Sequence, residues 1–88
     1  MAEEITIDAR YVEPPEPYEL ATTTLATLKG GQYVKMLIPR QPKILYLWLE
    51  QNGYDEETSQ LSEDLFAIYI WEKDDQQTAT EIMSIVVR

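Results

Sequence analysis

Three prolines fall within four positions of the stretch Tyr11-Val12-Glu13-Pro14-Pro15-Glu16-Pro17, and this cluster limits the local fold more than any other part of the chain. Each proline holds φ near the helical value and pushes the residue before it out of the α region. The segment therefore reads as a stiff corner where a strand ends and a helix begins. Such a corner turns the amides of the first helical turn outward, which is where a small α/β protein commonly places what it binds.

The residues on either side agree with that corner. From Glu4 to Asp8, Ile5 and Ile7 alternate with Thr6 and Asp8, the period of a half-buried strand. After the corner, Tyr18, Ala21, Leu25 and Leu28 recur at helical spacing, with Glu16 and Glu19 in the first turn, where the helix dipole favours negative charge. This first helix is expected to stop at Lys29-Gly30-Gly31. Tyr33 to Ile38 predicts a second strand, with Val34, Met36 and Ile38 on one face and Tyr33, Lys35 and Leu37 on the other. Strand, helix and strand make a right-handed βαβ unit with parallel strands.

Pro39-Arg40-Gln41-Pro42 leads into a second helix reaching about Asn52, with Gly53 as its stop. At 100° per residue Ile44, Leu45, Trp48, Leu49 and Asn52 share one face, and Tyr46 and Leu47 fall outside it, a hint of a contact surface. Tyr54 to Gln60 is acidic and reads as a third strand on length alone. Leu65 to Glu72 is the strongest strand: Phe66, Ile68 and Ile70 face one way, and Leu65, Ala67, Tyr69 and Trp71 the other. Both faces are apolar, so something must cover the side of Tyr33, Tyr69 and Trp71. Two candidates are the β-branched segment from Thr80 to Arg88, returning as an extra antiparallel strand, and a second copy of the chain. Ile82, Ile85 and Val86 also fit a short helix.

An 88-residue chain with 44% hydrophobic residues is sized for one domain and one modest core. Sixteen acidic against seven basic residues give a net charge of -9, which repels phosphate backbones and anionic lipid. Nucleic acid is therefore not an expected partner. No apolar run approaches the ~20 residues of a membrane span, and nothing reads as a signal peptide, so a cytoplasmic location is expected. Cysteine and histidine are both absent. Their absence rules out disulfides, thiolate nucleophiles, the usual zinc and iron-sulfur sites, imidazole bases, and serine or cysteine triads.

Taken together, Asp8-Ala9-Arg10, Glu13-Pro14-Pro15-Glu16-Pro17, the helix, Gly30-Gly31, the apolar strand, Arg40-Gln41-Pro42, Leu45-Tyr46, Leu49 and Gly53 resemble the TusA/SirA-like family. The closer resemblance is to its uncharacterised branch, a domain of unknown function, over about residues 4 to 73. The resemblance implies an α+β fold: a TusA-like two-layer sandwich, β-α-β-α-β-β, in which a mixed four-stranded sheet carries both helices on one face. Residues 1–73 would then be the domain and 74–88 an extension, either an extra strand or a poorly ordered tail. Sulfur carriers of the family place a persulfide-accepting cysteine in a Cys-Pro-x-Pro motif at the helix start. Here Pro14 stands at the cysteine position, while Pro15 and Pro17 match the two prolines. A thiolate there is activated by the helix dipole, whereas a proline supplies shape alone. Sulfur transfer thus requires a thiol brought by another protein.

The candidate binding residues are Arg10, Glu13, Pro14, Pro15, Glu16, Pro17 and Arg40 around the corner, with Tyr46 and Leu47 as a flank. Arg10 and Arg40 leave neighbouring strand ends and either converge on one anion or pair with Asp8, Glu13 or Glu16. Trp48, Trp71, Tyr33 and Tyr69 form either a ligand platform or core and dimer packing. Asp55-Glu56-Glu57 and Asp74-Asp75 lack the spacing of a calcium loop and read as solvated charge runs. No metal or cofactor is implied. The expected function is a non-catalytic binding or regulatory module for a protein partner or a small anion. Its alternatives are an accessory in sulfur or redox trafficking that docks a thiol-bearing partner, and a small enzyme acting on an anionic substrate through Arg10 and Arg40. A monomer or a weak homodimer through the open sheet face is expected.

Overall fold

The computed structural model describes residues 2–86. Alternation in the apolar strands sets its centre. On β2 (Gln32–Ile38) the side chains of Val34, Met36 and Ile38 are buried on one face of the sheet, and on β4 (Leu65–Glu72) Ile68 and Ile70 join them. The two strands run antiparallel, with Val34 opposite Ile70 and Met36 opposite Ile68, so these apolar residues pack directly across the ladder. Parallel to β2 lies β1 (Glu3–Asp8), with Ile7 opposite Met36. Outside β4 lies β3 (Tyr54–Ser62), antiparallel to it and bulged near its end. The sheet order is β1-β2-β4-β3, the expected mixed four-stranded sheet.

Both connecting helices pack on this face. α1 (Glu16–Leu25) contributes Ala21 and Leu25, and α2 (Lys43–Gln51) contributes Leu45 and Leu49, all four essentially inaccessible to solvent. α1 ends at Leu25 rather than near Lys29. Beyond it Thr27 and Leu28 donate to the carbonyls of Thr24 and Leu25, three residues back, which tightens the chain into turns. Gly31, at φ +83°, makes the left-handed turn into β2.

α2 is rotated from the face expected of it. Leu45 and Leu49 define the buried direction, and at 3.6 residues per turn Tyr46 and Trp48 lie about 80° to either side. Tyr46 is accordingly half-buried and Trp48 stacks on Tyr54, with ring centroids 5.6 Å apart. Ile44, expected inside, is 74% exposed. Six consecutive apolar residues offer several equivalent stripes, and packing against the sheet selects one.

On the opposite face the extra-strand expectation is corrected. Gln76–Val86 is a helix, α3, and it covers the aromatic side of the sheet. Ile82 is fully buried there among Tyr33, Ala67, Tyr69 and Trp71. A local signal outweighs the β-branched composition. The Asp75 carboxylate accepts the N–H and the hydroxyl of Thr78, capping the first turn. Glu81 ties the helix to the start of β1, both of its oxygens 3.0 Å from the Ala2 amide. The surface expected to form a dimer seam is thus covered from within the chain. Positions 87 and 88, which the strand expectation included, lie outside the described residues.

Candidate functional site

Since β1 and β2 are parallel neighbours, their carboxyl ends emerge side by side, and the two strand-to-helix junctions must lie together. In open α/β sheets this is where ligands commonly sit. The first junction begins as Ala9 donates to the Leu37 carbonyl at 2.8 Å, extending the ladder by one bond. Arg10 then turns back on β1, its guanidinium gripping both oxygens of Asp8 at 2.8 Å. These bonds, with that from the Arg10 amide, hold the Asp8 carboxyl down at about 2 and push the Arg10 guanidinium up. Of the alternatives for Arg10, pairing with Asp8 is the one observed.

The corner closes when the Glu16 amide donates to the Glu13 carbonyl at 3.0 Å. The Pro14–Pro15 peptide is cis, Pro17 is buried at the second helical position, and Pro14 and Pro15 stay exposed. In this first turn Glu16 is already bonded and Pro17 has no N–H. The outward amides expected of the corner therefore reduce to that of Tyr18.

The second junction has the opposite character. Pro42 caps α2 without a side-chain hydrogen bond, and the first amide bonded back is that of Tyr46, to the Pro42 carbonyl at 3.1 Å. The amides of Lys43, Ile44 and Leu45 precede it and have no helical partner. No acidic residue occupies this turn, whereas α1 begins with Glu16 and Glu19. Among the described residues Asp8–Arg10 is the one ion pair, so none of their carboxylates lies within salt-bridge distance of Arg40 or Lys43.

Between the junctions is a groove of about 340 Å³. Pro14, Pro15, Pro17 and Tyr18 form one side, Pro42, Ile44 and Leu45 the other, with buried Ile38 below and Arg40, Gln41 and Lys43 at the surface. Tyr18, Arg40, Gln41 and Lys43 carry its only side-chain polar atoms. The groove can hold an apolar body and meet negative charge at its edge. It offers no carboxylate, thiol or imidazole for proton or group transfer.

Of the sequence-derived candidates, Pro14, Pro15, Pro17 and Arg40 line the groove, and Arg10, Glu13, Glu16, Tyr46 and Leu47 do not. Arg10 and Arg40 do not share it. Tyr46 joins α2 to β3: its hydroxyl is 2.8 Å from that of Thr58, which donates to Glu56 at 2.9 Å. Burial pushes the Tyr46 phenol up. Leu47 is exposed on the outer side of α2. The four aromatics weighed as a platform are divided between the faces: Trp48 lies against the α1/α2 core, and Tyr33, Tyr69 and Trp71 lie under α3.

Sequence reasoning missed Tyr18, Ile38, Gln41, Pro42, Lys43, Ile44 and Leu45. The available signal was the pairing of two proline-bearing junctions at the ends of parallel strands. Among the described residues, no three acidic side chains converge as metal ligands, and no buried side-chain polar atom lacks a partner. No helix there is long and apolar enough to cross a membrane.

No curated protein and no solved structure matches the chain. A family model described as Uncharacterized conserved protein (DUF2249) matches residues 6–72, a span that contains both junctions and the whole groove and stops before α3. The chain therefore belongs to the DUF2249 family of uncharacterized conserved proteins.

Proposed function

We propose that this chain is a non-catalytic binding module whose ligand occupies the groove between the two proline junctions. The observation that carries this reading is the groove's composition: an apolar concavity of about 340 Å³, lined by no carboxylate, thiol or imidazole, with two cations at its edge that have no ion-pair partner among the described residues. The resemblance to TusA-like sulfur carriers supports the same location. Pro14, which the resemblance sets at the position of their cysteine, is exposed in the groove wall, where it offers carbon surface and no reactive atom.

The test is a screen of small fragments against the isotope-labelled full chain by NMR. Saturable shifts should cluster on the amides of Tyr18, Arg40, Lys43, Ile44 and Leu45. Filling the groove with Leu45→Trp is a poor control because Leu45 is buried in the core; Ile44→Glu, on an exposed position, should abolish the shifts while leaving the fold intact. Hits that saturate only over α3 or β3, or that survive Ile44→Glu unchanged, would overturn the assignment.

A further inference from the structure

The groove's charge specifies its occupant more narrowly. Resting on the reading of the groove as the binding site, we infer that it takes a small organic acid: one carboxylate on a compact aromatic or branched aliphatic body. The body is required by Pro14, Pro15, Tyr18, Ile38 and Ile44, which present carbon surface and would gain nothing from a hydrated ion. The acid group is required at the edge. Arg40 and Lys43 are exposed cations at the groove that, like Lys29, Lys35 and Lys73, have no ion-pair partner among the described residues, so their charge is available to a carboxylate on a molecule in the groove. Charge-assisted hydrogen bonds from a guanidinium and an ammonium favour a carboxylate over its neutral amide.

Size and surrounding charge favour a free small molecule over an acidic protein segment. The volume of about 340 Å³ lies near the lower end of small-molecule sites. A chain continuing out of the groove would run past exposed Glu13 and Glu16 and into the field of the net negative charge. A molecule that ends within the groove meets, among the lining residues, no charged side chains other than the two cations.

The experiment compares phenylacetate, phenylacetamide and acetate on the labelled full chain. Phenylacetate should saturate shifts at Lys43, Ile44 and Leu45, phenylacetamide should bind about tenfold more weakly, and acetate should not saturate. The double variant Arg40→Gln/Lys43→Gln, at exposed positions, should remove the acid's advantage over the amide. Raised salt should weaken the acid alone. Equal affinity of acid and amide would overturn the acid class while leaving the groove as a binding site. Saturation by acetate would reduce it to a plain anion site. A free peptide C-terminus that displaces phenylacetate at lower concentration would replace the small acid by a chain end. Groove fragments found without any response to phenylacetate would remove the inference alone, whereas fragments bound only elsewhere would remove the site with it.

Discussion

The Asp75 carboxylate accepts the backbone N–H of Gly31 at 2.8 Å, joining the cap of α3 to the turn that opens β2, across 44 positions of sequence. The same side chain accepts from the hydroxyl and amide of Thr78. One aspartate therefore starts the helix and fixes where it lies. The Gly31 bond, followed by those of Thr78, holds the Asp75 carboxyl below the usual carboxylate range.

Replacing Asp75 with Ala removes the cap and the long-range tie together, and should cost about 1–2 kcal/mol in denaturant unfolding. The pH dependence has a definite sign. A folded-state pKa below the ordinary 3.8 gives a contribution that is present above about pH 4 and is lost as acid protonates the folded carboxylate. α3 should therefore loosen below about pH 4, before the sheet does, seen as early loss of amide protection over Gln76–Val86. Equal acid sensitivity of the wild type and Asp75→Ala would contradict this.

Ile82 supplies the apolar counterpart of that tie. It is fully buried with Tyr33, Ala67, Tyr69 and Trp71, which otherwise present an apolar sheet face to water. Ile82→Ala should cost about 2–4 kcal/mol. If α3 is a separable layer, hydrogen exchange should accelerate in α3 more than in β2 and β4. With Trp48→Phe leaving Trp71 as the sole tryptophan, emission should shift to the red. Uniform acceleration throughout the sheet would instead make α3 part of one cooperative unit with it.

How far the sequence carried these conclusions depended on how many readings each segment allowed. β1, β2 and β4 alternate clearly, and Pro14, Pro15 and Pro17 leave little choice at the corner, so the strands and the βαβ unit were legible. β3 was expected on length alone and is present, but its pattern gave little support, because Tyr54–Ser62 is mostly polar and is held as a strand chiefly by pairing with β4. α3 was misread because Ile82, Ile85, Val86 and Val87 favour extended backbone. Asp75, three residues before Thr78, was the visible capping signal that argued for a helix.

The site was half legible for a similar reason. Its proline wall is contiguous in sequence, while its other wall depends on which strands are neighbours. Arg10 and Arg40 looked equivalent because both follow strands. Asp8, two residues before Arg10, makes them different: it engages Arg10, whereas Arg40 has no ion-pair partner among the described residues.

That difference can be measured. The two hydrogen bonds from the Arg10 side chain, and then its amide, lower the Asp8 pKa to about 2 from 3.8. The depressed value means that the pair stabilises the fold above about pH 4 and ceases to do so as pH falls toward 2. Both groups are exposed, so solvent screening keeps the effect on global stability small. The carboxyl titration itself is the sensitive readout. In Arg10→Ala the Asp8 midpoint should rise toward 3.8, and affinity at the groove should not change. A loss of groove affinity would bring Arg10 back into the binding site.

Tyr46 tests the same separation of fold from function on α2. Its phenol reaches Thr58 at 2.8 Å on a neighbouring strand and is 3.3 Å from the Gln41 side-chain oxygen, so it lies beside the groove's edge without lining it. Tyr46→Phe keeps the ring packed and deletes the hydroxyl, leaving Thr58 still bonded to Glu56. Because Thr58 retains that partner, the cost should stay near 1 kcal/mol rather than rise to that of an orphaned buried group. Urea unfolding should show a lower midpoint with an unchanged slope, while the phenylacetate titration superimposes on that of the wild type. If stability holds and affinity falls, the hydroxyl acts through Gln41 on the ligand, and Tyr46 belongs to the binding surface after all.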